Sequence, residues 1–232
     1  MIPLRDNVPT RHFPLVTVSL IAANVLVFVL YQDAGQGRGF FSSLDDLAFH
    51  PCEIEDSCPQ VGEDWPLTLF TSMFMHAGWG HLLGNMLFLW IFGNNVEDTL
   101  GRVRFVAFYL LGGVAATAAQ AFVTLTWGSA QDAAVPNLGA SGAISAVLGA
   151  YFVLHPYGRV TTFVLPFFLF QIPAVLFLGI YFLFQLFVGG LAFVHPEEGG
   201  GVAYFAHLGG IAFGLLTVRL FASGRPRPRF GL

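Results

Sequence analysis

Two polar side chains in apolar parts of the sequence could form a nucleophile–base pair. Ser141 lies in a Gly-x-Ser-Gly motif at residues 139–142, at the start of one apolar segment, and His207 lies among small residues inside another. A serine hydroxyl becomes an effective nucleophile when a neighbouring base takes its proton. Because polar groups inside a membrane-spanning segment are costly, they are candidate functional residues. The pair therefore predicts an enzyme that works within the bilayer.

A second pair of polar residues could stabilise negative charge. His81 and Asn85 are four residues apart, so they share one face of a helix and offer two side-chain donors to one point. Ser141 is predicted to begin a helix, where unpaired backbone N–H groups favour an anion. Donors that converge on a developing oxyanion usually make the largest contribution to acyl-transfer catalysis.

The sequence has no evident third member for a catalytic triad. No Asp or Glu occurs between residues 133 and 196, or after residue 198. Glu97 and Asp98 are predicted at the cytoplasmic end of a span, and Asp132 lies in the loop before the serine helix. A serine hydrolase with this sequence would therefore use a Ser-His dyad.

Each of these polar residues also has a structural explanation. An intramembrane serine often bonds to its own helix, a histidine can be a hydrogen-bonded core residue, and His81 with Asn85 could join two helices. A metal site made from His76, His81 and His207 is another alternative, but no His-Glu-x-x-His motif or carboxylate ligand accompanies them. We therefore expect no metal and no cofactor.

The composition is that of a polytopic membrane protein. The chain has 232 residues, of which 55% are hydrophobic and 10% are charged, whereas about one-quarter of a soluble domain is charged. We expect about six spans in a single domain covering residues 1–232, with cytoplasmic tails at 1–13 and 223–232. The short basic segment 225–229 lies close to a span, so we expect it to set membrane orientation, and nucleic-acid binding has no support.

Six apolar segments are predicted to cross the membrane. They are residues 15–31, 80–96, 105–126, 139–154, 171–192 and 202–222. The fourth is shorter than the ~20 residues of a full crossing, so the preceding loop, residues 131–138, is expected to dip into the membrane. Non-helical backbone is tolerated there only beside protein or a water-filled cavity. The serine turn is therefore predicted to face water.

The distribution of arginine favours one span rather than two between residues 160 and 196. Two spans would place the basic C-terminal tail and the N-terminal arginines on opposite sides, against the positive-inside rule. Pro166 and Pro173 also interrupt the first half of this segment. With residues 160–170 at the interface, both termini and every arginine except Arg38 are predicted to be cytoplasmic.

Small residues would allow close packing around the site. Two helical stripes of such residues are Ala203, His207, Gly210 and Gly214, and Ser141, Ser145 and Gly149. Stripes of this kind let helices approach closely in a membrane. Together with Gly139 and Gly142 beside the serine, they could bring Ser141 Oγ within reach of an imidazole nitrogen of His207.

Cys52 and Cys58 both lie in the predicted extracytoplasmic loop 32–64. An oxidising compartment would permit a disulfide between them, and their separation along the chain makes one sterically feasible. Two unpaired thiols are the alternative.

These motifs resemble those of the rhomboid family of intramembrane serine proteases. Residues 76–86 are similar to the family's second-helix motif, and residues 139–142 are similar to its nucleophile motif. The pattern of small residues around His207 is similar to the base motif on its sixth helix. Order and spacing agree from about residue 15 to residue 220. The resemblance implies an all-α membrane protein, a bundle of six transmembrane helices with the nucleophile on a short fourth helix.

The resemblance also implies a function, which is cleavage of transmembrane substrate proteins near the extracytoplasmic end of their helix. Ser141 would form an acyl-enzyme, with His207 as base and then acid. The oxyanion would meet the Ser141 backbone N–H, His81 and Asn85, and residues 192–201 would form a mobile cap. The implied partners are transmembrane substrates and the bilayer, and the implied location is a bacterial inner membrane. The oligomeric state stays open.

The sequence departs from the family at two places and leaves two rival functions. Ser145 stands where many relatives carry an aromatic side chain that stacks on the histidine, and the Trp-Arg pair of some first loops is absent. A non-catalytic rhomboid-like protein that escorts transmembrane helices would lack Ser141 or His207. A transporter or channel would need charged residues along a path through the spans, and the only charged residue there is Arg219, at the end of the sixth span.

Overall fold

Helices make up most of the chain that the computed structural model describes, which is residues 1–58, 65–164, 166, 168–194 and 203–222. The helices are α1 (Leu15–Leu26), α2 (Gly37–Leu47), α3 (Trp65–Thr71), α4 (Trp79–Phe88), α5 (Asn94–Leu100), α6 (Arg102–Trp127), α7 (Ala130–Ala133), α8 (Ser141–Leu154), α9 (Ala174–Val194) and α10 (Tyr204–Phe221). The strands are β1 (Ile2–Asp6), β2 (Arg159–Val164) and β3 (Phe168–Pro173). The predicted helical bundle is confirmed.

The predicted spans correspond to helices in the same order along the chain. Among the described residues, three helices are long and apolar enough to cross a membrane, namely Arg102–Trp127, Ala174–Leu191 and Tyr204–Phe221. Leu15–Tyr31 and Ser141–Leu154 are shorter apolar helices. The count of six spans stays a prediction, because length and composition alone do not place a membrane.

Two of the helices continue through a π-helical turn. Helix α1 continues through a π-helical turn at Val27–Tyr31, and α4 continues through another at Leu89–Gly93 into α5. The first predicted span is therefore one continuous helix. The second begins at Trp79, next to the start near residue 80 that the sequence predicts.

Large apolar side chains point outward from the bundle. Leu183, Phe187, Leu216 and Leu220 are each exposed over about two-thirds or more of their surface. Exposed apolar surface of this extent would favour aggregation in water, but it suits a protein surrounded by lipid.

Helix α8 lies at the centre of the bundle. Every residue from 142 to 151 is buried, and the helix packs against both α6 and α10. A Cβ atom at Gly149 would lie 2.6 Å from the Ile211 carbonyl oxygen, and one at Gly214 would lie 2.9 Å from the Ala150 nitrogen. The backbones of α8 and α10 can approach this closely only because these positions are glycine.

Helix α1 is tied to the second span by a buried carboxylate. Glu97 in α5 accepts hydrogen bonds from the backbone N–H groups of Val16 at 3.0 Å and Thr17 at 2.7 Å, and from the Thr17 hydroxyl at 2.8 Å. A carboxylate at a helix N-terminus satisfies free N–H groups and opposes the positive end of the helix dipole. Glu97 is therefore a helix cap.

A small antiparallel sheet is the main feature that the sequence does not predict. Strand β1 pairs with β2, and β2 pairs with β3. Residues 1–13 are expected to be only a polar tail and residues 160–170 an interfacial segment, yet both contribute strands. The pairing of β1 with β2 joins residues more than 150 positions apart, and neither of these two strands has a strong alternating pattern. Local periodicity therefore carries no signal for it.

The loop before the second span also has defined structure. It contains α2 and a short 3₁₀ turn at Pro51–Glu55, and Cys52 forms a disulfide with Cys58, with Cα atoms 5.1 Å apart. Glu53 in the turn is buried and accepts a hydrogen bond from the Thr68 hydroxyl of α3 at 2.8 Å. The turn is therefore held against the bundle.

Candidate active site

Ser141 begins α8, directly after a turn that requires glycine. Gly139 has a φ of +121°, which L side chains rarely adopt. Its N–H donates to the Ser72 carbonyl oxygen at 2.9 Å. A Cβ atom at this position would lie 2.7 Å from Cε1 of the His81 ring. The His81 ring therefore lies against the serine turn, and any side chain at position 139 would displace it.

The structure brings Ser141 and His207 into direct contact. Ser141 Oγ lies 2.9 Å from His207 Nε2, although the two residues belong to α8 and α10. Close packing of these helices makes the contact possible, because a Cβ atom at Gly210 would meet the Gly142 carbonyl oxygen and lie 3.0 Å from Ser145 Cβ. The distance is that of a hydrogen bond.

Two other predicted small residues also lie at packing positions. A Cβ atom at Gly142 would lie 2.7 Å from Ala116 Cβ of α6, so this glycine sets the distance between α8 and α6. Ala203 precedes α10, and its carbonyl oxygen accepts from the His207 N–H at 3.3 Å. Each therefore helps to place one member of the Ser141–His207 pair.

The first turn of α10 is held by an amide from α6. Gln120 Oε1 accepts hydrogen bonds from the backbone N–H groups of Phe205 at 3.1 Å and Ala206 at 3.2 Å. These N–H groups precede the first intrahelical bonds and need an acceptor. Gln120 thereby fixes the turn that carries His207, a role that the sequence analysis did not identify.

His207 has a second partner that the sequence analysis missed. Gln185 Oε1 of α9 lies 2.9 Å from His207 Nδ1, the ring nitrogen that does not face the serine. The search for a third member considered only Asp and Glu, and it found none. A glutamine within a charge-free apolar segment was the available signal, because an amide also accepts hydrogen bonds.

Asn85 is held in place by His76. The Asn85 amide donates to His76 Nε2 at 3.0 Å, and His76 is completely buried. The backbone of His76 exchanges two hydrogen bonds with the side-chain amide of Gln32, at 2.8 Å and 3.0 Å. The sequence predicts no contact between His76 and Asn85. Within the described part of the chain, no three His, Cys, Asp or Glu side chains are grouped as a metal site would need.

The four predicted polar residues line one cavity. It has a volume of about 670 Å³ and is open on one side, and Ser141, His207, His81 and Asn85 all line it. Its other walls are largely apolar and come from α2, α4, α8 and α9 and from the loops before α4 and α8. They include Ala77, Gly80, Gly84, Phe88, Ile144 and Tyr181. The candidate nucleophile, the candidate base and the two candidate donors therefore face the same space.

The predicted cap cannot be compared with the structure. Residues 192–201 lie outside the described residues, apart from the backbone of 192–194, which ends α9. The C-terminal tail, residues 223–232, also lies outside them.

The chain belongs to the rhomboid family. The rhomboid domain model matches residues 63–224, which is more than half of the chain. The resemblance inferred from the motifs is thereby confirmed, and the protein is an integral membrane protein of this family.

The relatives with similar sequences are rhomboid proteins of mitochondria. The human presenilin-associated rhomboid-like protein, mitochondrial, is 32% identical over 205 residues, covering 86% of this chain and 46% of that protein. RHOMBOID-like protein 12, mitochondrial, of Arabidopsis thaliana is 30% identical over 226 residues, covering 91% of this chain and 60% of that protein. Rhomboid protein 1, mitochondrial, of Saccharomyces cerevisiae is 32% identical over 152 residues, covering 65% of this chain and 40% of that protein. The chain therefore spans about half the length of these relatives.

Proposed function

We propose that this protein is an intramembrane serine endopeptidase that uses Ser141 and His207. The observation that carries the proposal is the 2.9 Å contact between Ser141 Oγ and His207 Nε2 at the wall of a cavity inside an apolar bundle. Membership of the rhomboid family, whose members are generally intramembrane serine proteases, supports the same function. The contact is the hydrogen bond through which a base activates a serine nucleophile.

The residues would act in two stages. In the first, His207 Nε2 takes the Ser141 hydroxyl proton while Oγ attacks the carbonyl carbon of the scissile peptide bond. The tetrahedral intermediate collapses when His207 donates that proton to the leaving amine, and the carboxyl half stays esterified to Ser141. In the second, His207 takes a proton from water while the water oxygen attacks the ester carbonyl carbon, and His207 returns that proton to Ser141 Oγ as the ester C–O bond breaks, which releases the acid and restores the serine.

Three donors would stabilise the oxyanion of both tetrahedral intermediates. They are the Ser141 backbone N–H at the start of α8 and the side chains of His81 and Asn85. His81 lies against the serine turn, and the hydrogen bond from Asn85 to His76 limits the motion of its amide. Donors held in place before the reaction need no reorganisation when the charge develops.

We propose transmembrane proteins as the substrates and the lipid bilayer as the environment of cleavage. The cavity walls are mainly apolar, and small residues of α4 such as Gly80 and Gly84 leave room beside Ser141. An extended apolar segment leaving the end of a substrate helix fits such a site. No feature of the bundle supports nucleic acid as a partner, and the function needs no metal or cofactor.

We place both termini on the cytoplasmic side and propose a bacterial inner membrane as the location. The arginine distribution supports this orientation through the positive-inside rule. The named relatives are mitochondrial, so the family alone does not select the compartment.

Cleavage of a transmembrane substrate in proteoliposomes tests the proposed function. The full chain is reconstituted with a set of single-span proteins, and the wild type is compared with Ser141→Ala. We expect the wild type to cut at least one substrate near the end of its span and Ser141→Ala to cut none. Cleavage by Ser141→Ala at a similar rate would exclude the serine mechanism. Binding of substrates without cleavage by the wild type would favour a helix-escorting rhomboid-like protein instead.

A further inference from the structure

The buried side-chain amide of Gln185 contacts the ring nitrogen of His207 that does not face Ser141. Gln185 lies in α9 and is only 6% exposed, and its Oε1 is 2.9 Å from His207 Nδ1. On the other side of the same ring, His207 Nε2 is 2.9 Å from Ser141 Oγ. Gln185, His207 and Ser141 therefore form one continuous line of hydrogen-bonding groups across α9, α10 and α8.

The chemistry of the amide determines which ring nitrogen carries the proton. A carbonyl oxygen only accepts hydrogen bonds, so its contact with Nδ1 requires the proton on that nitrogen. A neutral imidazole has one N–H, and Nε2 is then the nitrogen with the free lone pair. This is the tautomer in which Nε2 can accept the Ser141 proton.

On the basis of the function proposed above, we propose that Gln185 is a positioning residue for catalysis. It holds His207 in the orientation and tautomer that a general base needs. It does so without charge, unlike the aspartate of a Ser-His-Asp triad. A neutral amide also avoids the cost of an ionised carboxylate inside a spanning helix.

Neighbouring groups hold the amide itself. Tyr181 lies one helical turn before Gln185 on the same face of α9, and its hydroxyl interacts with the Gln185 and Ser145 side chains. Its ring packs against Phe88 of α4, with centroids 5.9 Å apart. Ser145 is fully buried one turn after Ser141. The small side chain at position 145 therefore leaves space for α9 to reach the histidine with polar groups.

Two variants of similar size separate hydrogen bonding from packing. Gln185→Met keeps the length of the side chain but removes the acceptor, whereas Gln185→Glu keeps an acceptor oxygen. We expect Gln185→Met to lower kcat by about 10–100-fold, which is the usual cost of losing the partner that orients a metal-bound histidine. KM should not change, because Gln185 is not one of the described residues that line the cavity. Gln185→Glu should stay within about fivefold of the wild type in kcat, since the second ring nitrogen keeps its acceptor.

A spectroscopic measurement detects the role directly. In ¹⁵N-histidine-labelled protein, with His207 assigned by its absence in His207→Ala, the wild type should show the proton of His207 on Nδ1. Gln185→Met should show a mixture of the two tautomers. A wild-type His207 with its proton on Nε2 would overturn the proposal, even if Gln185→Met failed to fold.

The controls distinguish this inference from the proposed function. Gln36→Met changes an exposed amide outside the site and should leave kcat and the His207 signals unchanged. If Ser141→Ala is inactive while Gln185→Met keeps the wild-type kcat and tautomer, the dyad stands and the role of Gln185 is refuted. If Ser141→Ala remains active, the proposed function itself fails.

Discussion

At the scale of single residues, a few polar contacts inside an apolar bundle define the chemistry. Ser141 contacts His207, and His207 contacts Gln185, so both ring nitrogens of His207 have a partner. His76 plays the corresponding part for Asn85. Because unsatisfied polar groups are costly in lipid, each partner both stabilises the bundle and restricts the motion of a side chain for which we propose a catalytic role.

The oxyanion donors give a prediction at this scale. His81→Ala and Asn85→Ala should each lower kcat by about 10²–10³, the usual effect of removing one preorganised donor. The yield of folded protein should change little for His81→Ala, because its ring lines a cavity. Single-turnover cleavage of a transmembrane substrate measures the effect. His12→Ala is the control. His12 is exposed and precedes α1, where its ring contacts Asp98 of α5, and the variant should cleave at the wild-type rate. Wild-type rates in both site variants would make His81 and Asn85 purely structural.

The residue types and spacing predict Ser141, His207, His81 and Asn85 as candidates, and the structure places all four at one cavity. Motif spacing works here because each motif lies within one helix. Gln185 and Gln120 were missed because neither belongs to a recognisable motif. A lone glutamine in an apolar segment gives no indication of the direction in which its side chain points.

At the scale of elements, the site depends on how closely α8 and α10 approach. Gly210, Gly214 and Gly149 allow backbone atoms of one helix to touch those of the other. Such close packing is a main source of helix association in lipid, where the hydrophobic effect does not act between helices. The distance from Ser141 to His207 is therefore set by positions that carry no functional group.

Gly210→Ala tests this dependence. The added Cβ atom would meet the Gly142 carbonyl oxygen, so the helices must separate or tilt, and overpacking of this kind costs about 1–3 kcal/mol. We expect proteolysis to fall at least tenfold, with a lower melting temperature, although both catalytic side chains remain. Gly190→Ala on α9, where a Cβ atom would meet nothing within 4 Å, should behave as the wild type. Equal activity of the two variants would show that Ser141 and His207 do not need this close approach.

The sheet and α8 are joined by Asp6, which gives a pH prediction. Its carboxylate accepts from the Tyr151 hydroxyl at 2.6 Å and the Asn95 amide at 2.7 Å, and burial raises the pKa of Asp6 from 3.8 to about 6. The folded state therefore favours the neutral acid. This contribution to stability is complete below pH 3.8 and is lost as the pH rises to about 6.

Asp6→Asn removes that titration and keeps an acceptor for Tyr151. The melting temperature of the wild type should fall more between pH 4 and pH 7 than that of Asp6→Asn, measured in the same detergent. Other groups titrate equally in both proteins, so the difference isolates Asp6. Parallel curves for the two proteins would contradict the assignment.

At the scale of the whole molecule, apolar runs in the sequence predict the order and approximate bounds of the spanning helices. The start of α9 at Ala174, directly after Pro173, agrees with one helix rather than two in this segment. The pairing of β1 with β2 was not predicted, because the two strands lie more than 150 residues apart in the sequence. Strand pairing over such a distance depends on tertiary structure, which short-range patterns do not report.

The membrane orientation is a prediction about the whole chain. A reporter fused after Leu232 should be cytoplasmic, and one inserted at Gly37 should be extracytoplasmic, because all arginines except Arg38 then lie on the cytoplasmic side. Paired reporters active only inside or only outside the cell make this measurement. A C-terminal reporter on the extracytoplasmic side would refute the single span between residues 160 and 196.

Covalent labelling by a fluorophosphonate tests the Ser141–His207 dyad most directly, because this reagent reacts with an activated serine and needs no knowledge of the substrate. Purified full-length protein should form an adduct that peptide mass spectrometry maps to Ser141. Ser141→Ala should form none, and His207→Ala should react at least about 10³-fold more slowly, since the activating base is lost. Labelling of His207→Ala at the wild-type rate, or an adduct at any other residue, would contradict the dyad.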